Sequence, residues 1–395
     1  MSDRREVWIT GVGLLTCLGE GLGAAWNFFE RGGPPPYDDK SFAPYIVHAL
    51  GPIDLDRQIP KKGDQRQMEM WQRIGVYAAG LALTDADLAG KPDLLDHTDM
   101  IVAAIGGERD IPADTAILAG IRKADRPAAF LNERLMNDLR PTLFLAQLPN
   151  LLAGNISIVH GVVGSSRTFL GEESAGVDAV RIAQARVAAG QSEVTLVGAA
   201  CHGARWDHLL NFELGGALLK DRFAPVWDRG PQGGIALASL GAFLVLESPE
   251  HAKARGVRPR ARLSTVCSDH NARQEGDIEA TLSRQWDAMA PHVHRERAVV
   301  LSGATGFEPA TSAERHALHK FGLPVRNTGT YIGHGIEAQF AANLAIGCAV
   351  LDHGKLFAAA GSEEDGETPP LLSQVVVTSV GLWRGEGLAL LERVE

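Results

Sequence analysis

The sequence lacks the features that mark membrane-spanning and duplex nucleic-acid-binding proteins. Its most apolar stretch, residues 234–247, is too short and too rich in glycine to span a bilayer. Its 38 basic residues are outnumbered by 48 acidic residues, and the resulting net charge of −10 argues against a protein that binds duplexes through a clustered basic face. The one basic stretch, residues 57–67, is interpreted as a solvated loop and as a weak candidate for contact with an acidic partner.

Cysteine is scarce, and its spacing fits neither a disulfide framework nor a zinc site. The four cysteines, which are Cys17, Cys201, Cys267 and Cys348, include no C-x-x-C pair. Residues 1–11 pass from charged residues directly into a predicted strand, without the apolar segment of an export signal. These observations together predict a soluble, cytoplasmic protein.

The common motifs of nucleotide, metal and serine-hydrolase chemistry are absent as well. In the stretch 11–19 the third glycine of a dinucleotide loop would fall on Thr16, and no P-loop, G-x-S-x-G or H-E-x-x-H motif is present. The thirteen histidines contain no i, i+4 pair that indicates a metal, and His202 and His208 are interpreted as structural or exposed. We therefore expect neither a metal nor a cofactor.

What the sequence does contain is an alternation of short β-branched runs with helical patterns. This alternation predicts an α/β fold whose sheet is covered on both faces. The predicted strands are 6–13, 99–107, 192–200, 241–249, 297–306 and 374–381. The predicted helices are 66–84, 113–122, 172–189, 277–290, 312–320 and 335–352.

The length of 395 residues predicts two fused lobes, because it exceeds one ordinary core. A short helix and a proline-marked bend follow the strand at 241–249, so we predict an N-terminal lobe over 1–250 and a C-terminal lobe over 251–395. Each lobe has a buried, alanine-rich helix whose N-terminus directs backbone N–H groups into a pocket. This arrangement predicts one shared central site.

The residues with potential chemistry at these two helices are Glu172, Glu173 and His334. Taken alone, each has an ordinary structural explanation. A carboxylate beside the positive end of a helix is stabilising by about 0.3–1 kcal/mol, and a histidine in a core is usually hydrogen-bonded.

Taken together, several segments resemble the β-ketoacyl-[acyl carrier protein] synthase family, the condensing enzymes of the thiolase fold. The resemblance implies two similar α/β lobes in a layered α-β-α-β-α arrangement, and only residues 119–149 fit it poorly. The segments that carry it are REVWITGVGLLTCLGEGLGAAWNFFERG, QRIGVYAAGLALTDADL, ISIVHGVVGSSRTFLGEESAGVDAVRIAQARVAAGQSEVTLVGAA, FLVLESPEHAKARGV, RNTGTYIGHGIEAQFAANLAIGCAVLDHG and TSVGLWRGEG.

The resemblance also implies which residues stand at the family's catalytic positions. These enzymes use a cysteine thiolate at a buried helix N-terminus, two histidines, and an oxyanion hole that includes a backbone N–H of the C-terminal glycine turn. The second histidine is retained as His334. The other family residues are replaced: the nucleophilic cysteine by Glu173, the first histidine by Gly303, a lysine by Gly329 and the gating phenylalanine of the glycine turn by Leu382.

These replacements imply that condensation is lost, because a carboxylate is a poor nucleophile toward a thioester and the catalytic residues act as a unit. The first hypothesis is a non-catalytic subunit that resembles a chain-length factor and pairs with an active ketosynthase, or with itself, in a system that uses an acyl carrier protein. Under it, residues 193–200 are expected at the two-fold seam and residues 119–149 near the floor of the acyl tunnel. The second hypothesis is a residual malonyl-carrier decarboxylase or condensing activity that uses His334. The sequence leaves the acyl chain and the pathway open.

Overall fold

The computed structural model of the chain describes residues 5–104, 106–139, 143–231 and 233–394. Within these ranges the strands are β1 (Trp8–Thr16), β2 (Gly19–Glu20), β3 (Val47–His48), β4 (Asp99–Ala103), β5 (Ser166–Phe169), β6 (Val194–His202), β7 (Leu237–Glu247), β8 (Ala261–Asp269), β9 (Ala298–Ser302), β10 (Val325–Asn327), β11 (Gln374–Val380) and β12 (Glu386–Glu392). The helices are α1 (Gly21–Arg31), α2 (Lys62–Gln67), α3 (Met70–Asp85), α4 (Pro92–Leu95), α5 (Ile111–Ile121), α6 (Pro127–Asp138), α7 (Leu143–Ala146), α8 (Leu151–His160), α9 (Glu173–Ala188), α10 (Trp206–Leu214), α11 (Pro249–Arg255), α12 (Asp277–Met289), α13 (Ala310–Phe321), α14 (Gly329–Ile332) and α15 (Gln339–His353).

The strands of the described residues form one mixed sheet in the order β10-β9-β11-β12-β8-β1-β7-β6-β4-β5, with β2 beside β1 and β3 beside β7. Strands that precede residue 250 lie on one side of the order and later strands on the other. The two sets meet where β1 pairs with β8, through Trp8 opposite Arg262 and Ile9 opposite Ala261. The predicted boundary at residue 250 falls in α11, between β7 and β8, and the division into lobes stays a prediction.

Helices α9 and α15 are buried together between the two halves of the sheet, because both are apolar on nearly all sides. Helix α3 covers the outer face of the first half, where Ile74 and Tyr77 join Phe243 of β7 in a separate core. Helices α12 and α13 cover the outer face of the second half, where Trp286 stacks on Phe321 at 4.0 Å between ring centroids. This arrangement confirms the predicted α/β, thiolase-like fold class.

The predicted strands and helices are present, with bounds that differ by a few residues. Strands β2, β3, β5, β8, β10 and β12 were not predicted. Strands β2, β3, β5 and β10 are only two to four residues long, and polar residues such as Arg262 and Ser264 interrupt the apolar run of β8. Strand β7 lies wholly within the apolar stretch 234–247. No helix in the described part of the chain is long and apolar enough to cross a membrane.

The expectation that residues 193–200 form a two-fold seam is wrong. Residues 194–200 belong to β6, which is hydrogen-bonded to β7 on one side and to β4 on the other. A strand that is paired along both edges has no free N–H or C=O groups with which to join a second chain. The free edge on this side of the sheet belongs instead to β5, which pairs only with β4 among the described strands.

Candidate functional site

The first candidate residue, Glu173, begins helix α9 at the centre of the molecule. Glu172 stands at the N-cap position, and the Glu173 side chain is only 2% exposed. The N-terminal end of a helix carries a partial positive charge, which favours a carboxylate at this position. The structure therefore buries an acidic group at the place where the family alignment puts the nucleophile.

The second candidate residue, His334, is held in place by its own backbone. Its N–H donates to the carbonyl of Ala236 at 2.8 Å, and its carbonyl accepts from the N–H of Ala238 at 2.9 Å. These two bonds form an isolated bridge to the start of β7. The imidazole, which is 4% exposed, consequently enters the site from a fixed backbone.

The two side chains meet directly. Nε2 of His334 lies 2.8 Å from Oε1 of Glu173, and both residues are buried. A carboxylate oxygen can only accept, so Nε2 is the donor. Among the described residues the second oxygen, Oε2 of Glu173, has no hydrogen-bond partner. The contact therefore engages Nε2 of His334 within the protein.

A close approach of two backbones makes this contact feasible. A Cβ placed on Gly176, one turn along α9, would lie 2.1 Å from the carbonyl oxygen of Glu337. Only glycine lets the helix approach the segment that follows His334 so closely. The short helix at Ile336–Ala338 thus fixes the distance between the carboxylate and the imidazole.

The glycine turn at residues 381–385 closes over the start of α9. A Cβ on Gly385 would lie 2.5 Å from Cβ of Ser174, and Nε of Arg384 lies 3.1 Å from Oε2 of Glu172. Leu382, the residue at the gating position, is 3% exposed and belongs to an apolar cluster that also contains Ile336. No hydrogen bond of the described residues links Leu382 to the Glu173–His334 pair.

The third candidate residue, Gly303, is enclosed by backbone. Its N–H donates to Oγ1 of Thr378 at 2.9 Å, and a Cβ at this position would lie 2.4 Å from the carbonyl oxygen of Thr378. Beside it the fully buried carboxyl of Glu314 accepts from the hydroxyls of Ser302 and Thr378. Burial raises the pKa of Glu314. The backbone therefore leaves no room for a side chain at residue 303, where the resemblance implies an imidazole in the family.

The site contains a buried polar network that was not predicted. The hydroxyl of Thr328 lies 2.5 Å from Oδ1 of Asn343, and Gln339 donates to the same oxygen at 3.0 Å. Gln339 also accepts from the N–H of Gly335 at 2.9 Å, which connects the network to the residue after His334. Two amide side chains within the otherwise apolar helix α15 were the signal in the sequence.

The four thiols do not supply a substitute nucleophile. Burial raises the pKa of Cys17 to about 12 and shifts the pKa values of Cys267 and Cys348 in the same direction. The pKa of Cys201 is raised by burial and then by the charge of Glu337, with a further contribution from Glu173. The thiolate, and not the thiol, is the reactive species.

The family model for the beta-ketoacyl synthase N-terminal domain matches residues 4–252, and the chain belongs to the beta-ketoacyl synthase family. It is 27% identical over 276 residues to 3-oxoacyl-[acyl-carrier-protein] synthase 2 of Vibrio harveyi, a match that spans 67% of this chain and 62% of that protein. It is 23% identical over 375 residues to the oxytetracycline polyketide putative beta-ketoacyl synthase 1 of Streptomyces rimosus, with 89% and 86% of the two chains covered. A solved structure described as the ishigamide ketosynthase/chain length factor superposes with a TM-score of 0.79 at 20% identity, over 99% of this chain and all of the other. At that identity the superposition shows the fold alone.

Proposed function

We propose that this chain is a non-catalytic subunit of the chain-length-factor type, which pairs with an active ketosynthase in fatty acid or polyketide synthesis. The observation that carries the proposal is the buried contact between Nε2 of His334 and Oε1 of Glu173. In this contact His334, the one retained catalytic group, is hydrogen-bonded to Glu173, the residue that we place at the position of the nucleophile.

The chemistry of condensation lacks its other components as well. Acyl transfer to the protein needs a thiolate, and burial keeps the thiols of this chain protonated. A second imidazole cannot be placed at Gly303, because the carbonyl of Thr378 fills the space of its Cβ. The chain thus has no reactive nucleophile and no free catalytic histidine, and the role that we propose for it is structural.

The free edge at β5 supports pairing with a second subunit. The carbonyl oxygens of Ser165 and Phe169 accept from the N–H groups of Met100 and Ala104. The backbone N–H and C=O groups of residues 166–168 therefore point alternately toward β4 and toward the open edge of the sheet. Exposed apolar side chains lie before and after this strand, namely Ile158 (67% exposed), Val163 (56%) and Leu170 (67%). A strand edge flanked by apolar groups suits extension of the sheet by a partner strand across a two-fold axis.

Residues 119–149 include the end of α5, all of α6 and α7, and the positions 140–142 that lie outside the described residues. Met136 (74% exposed) and Phe144 (67% exposed) are large apolar side chains in this segment. We propose that these side chains contact a partner subunit, in keeping with the expectation that the segment lies near the floor of an acyl tunnel.

The acyl carrier protein is proposed to dock on the complex rather than on the basic stretch 57–67 of this chain. Arg57 lies 2.7 Å from Glu20, and Lys62 lies 2.5 Å from Asp56, so acidic residues neutralise much of the positive charge of that stretch. The interpretation of this stretch as a loop is wrong, however, because its residues 62–67 form helix α2 and Ile59 is buried.

The test is co-expression of this chain, affinity-tagged, with the cysteine-containing ketosynthase encoded nearest to it, followed by purification and native mass spectrometry. We expect a stoichiometric heteromer. Thr168→Pro should abolish it, because proline removes an N–H from the β5 edge, whereas the matched control Thr168→Val keeps the N–H and should retain the complex. A purified chain that forms no heteromer, or a complex that survives Thr168→Pro unchanged, would count against the proposal.

The alternative of a residual decarboxylase has less support. His334 would have to release Glu173 before it could polarise a thioester carbonyl, and the freed carboxylate would repel a malonyl group. Incubation of the purified chain with malonyl-carrier protein tests the alternative directly. We expect no acetyl-carrier product, and its formation at a rate that His334→Ala abolishes would establish the alternative.

A further inference from the structure

A pocket of about 320 Å³ lies on the outer face of the sheet, on the side away from the Glu173–His334 pair. The alternation of side chains along β7 separates the two sites. Leu240 faces the central layer, where it fills the space beside Gly335, whereas Gly241 faces Ile74 of α3. Ser239 points to the same outer side as Gly241, because successive odd residues of a strand share a face.

The walls of this outer pocket are apolar. They are formed by partly exposed side chains of segment 49–55 and by residues of α3, while Gly51 and Pro52 are exposed at its mouth. The apolar wall residues are Phe42, Leu50, Ile53, Leu55, Met70 and Ile74. The volume is at the lower end of the range of small-molecule pockets, roughly 300–1,000 Å³.

One end of the pocket carries two polar side chains, His202 and Ser239, which are directly opposite each other in the β6–β7 register. Oε1 of Glu108 lies 2.9 Å from Nδ1 of His202 and also accepts from the N–H of Trp71 at 3.0 Å. Burial acts to raise the pKa of Glu108, but the hydrogen bond and charge of His202 and the charge of Arg205 lower it overall. Because Oε1 of Glu108 accepts from Nδ1–H of His202, the neutral form of this ring has its acceptor at Nε2.

Ser239 completes the polar end with a donor. Its Oγ accepts from the N–H of Ala204 at 3.2 Å, which leaves the hydroxyl proton available. Directly opposed residues on an antiparallel pair have Cβ atoms about 4.5–5.5 Å apart. The acceptor and the donor are therefore two separate points, and a head group with two oxygens can reach both.

We propose that this pocket binds a medium-length aliphatic carboxylic acid, with its chain against the apolar walls and its carboxyl group between His202 and Ser239. The acid transfers its proton to Nε2 of His202. The product is a carboxylate that accepts from the imidazolium and from the Ser239 hydroxyl, and Glu108 balances the new positive charge. The site is independent of the proposed role in a heteromer, since it lies within one chain and on the other face of the sheet. His202, interpreted from the sequence as structural or exposed, becomes a ligand-binding residue.

The test is isothermal titration of the purified full-length chain with decanoic acid, decan-1-ol and decanamide. We expect the acid to bind, and the alcohol and the amide to bind roughly tenfold more weakly, since neither forms the charge-assisted pair with His202. His202→Gln and Ser239→Ala should each weaken the binding of decanoic acid by roughly tenfold. His316→Gln is the matched control, because His316 is exposed and lies 3.8 Å from Glu279 in a comparable pair away from the pocket.

Ile53→Trp tests the pocket without changing the buried residues His202 and Ser239. Ile53 is half-buried at the mouth, so the substitution should fill the pocket without disturbing the core, and acid binding should be lost. The proposal is overturned if decanoic acid does not bind to the wild-type chain, if Ile53→Trp leaves binding unchanged, or if the alcohol binds as tightly as the acid. Each result is obtained without any partner, so it is distinguishable from failure of the heteromer.

Discussion

The Glu173–His334 contact predicts a strong energetic coupling that a double-mutant cycle can measure. His334→Ala would leave a carboxylate that is 2% exposed without its hydrogen-bond partner. Removing one member of such a buried pair typically costs about 3–5 kcal/mol in the free energy of unfolding. Glu173→Ala removes the same bond from the other side, so the double variant should be little less stable than His334→Ala. A hydrogen bond to a charged group gives an expected coupling of about 1.5–3 kcal/mol.

A second pair at the same helix end provides the control. Glu172 and Arg384 are 3.1 Å apart, but the Arg384 side chain is 60% exposed. A cycle through Glu172→Ala and Arg384→Ala should therefore give a coupling of only about 0.2–1 kcal/mol. Added salt should weaken this coupling and leave that of the buried pair nearly unchanged.

The assay is equilibrium unfolding in urea, followed by tryptophan fluorescence and far-UV circular dichroism, which must give coincident transitions. A coupling below about 0.5 kcal/mol for Glu173 and His334 is within the range of independent sites. That result would refute the reasoning, because it would mean that the two side chains do not form a bond in solution.

Two further predictions follow from buried groups near the site. Gly303→Ala should destabilise the chain by about 1–3 kcal/mol in urea unfolding, because the added Cβ meets the Thr378 carbonyl. Gly63→Ala in α2 is the control and should not destabilise the chain, because no atom lies near the added Cβ. Equal effects of the two substitutions would contradict the steric explanation. Burial raises the pKa of Glu364 to about 7 from its ordinary 4.5. Between these two pH values the carboxyl is protonated in the folded state and ionised in the unfolded state. The free energy of unfolding should therefore fall as the pH rises through this range, by on the order of 3 kcal/mol. Glu364→Gln should remove this part of the pH dependence, and a variant whose stability–pH curve parallels the wild type would show that the carboxyl is not protonated.

The layered fold could be predicted because its strands and helices are encoded in local patterns of apolar residues. The position of Glu173 followed from a gapless alignment of the segment around it. The order of the strands is not local information, however, and the seam was placed at β6 although the crossover connections leave β5 at the edge. The partner of His202 could not be predicted for a similar reason, since Glu108 lies 94 residues away in the sequence.

A glutamate at position 173 meets two requirements of its surroundings, whether or not a nucleophile once stood there. The positive end of α9 favours an acceptor or a negative charge, and the buried imidazole of His334 needs a partner for Nε2. An apolar residue at this position would leave both unsatisfied, whereas one carboxylate satisfies both with a single contact of 2.8 Å. Replacing Glu173 by cysteine would not recreate the family's site, because Gly303 has no space for a second histidine. The steric exclusion at Gly303 and the Glu173–His334 contact are separate features, and both agree with the proposed non-catalytic role.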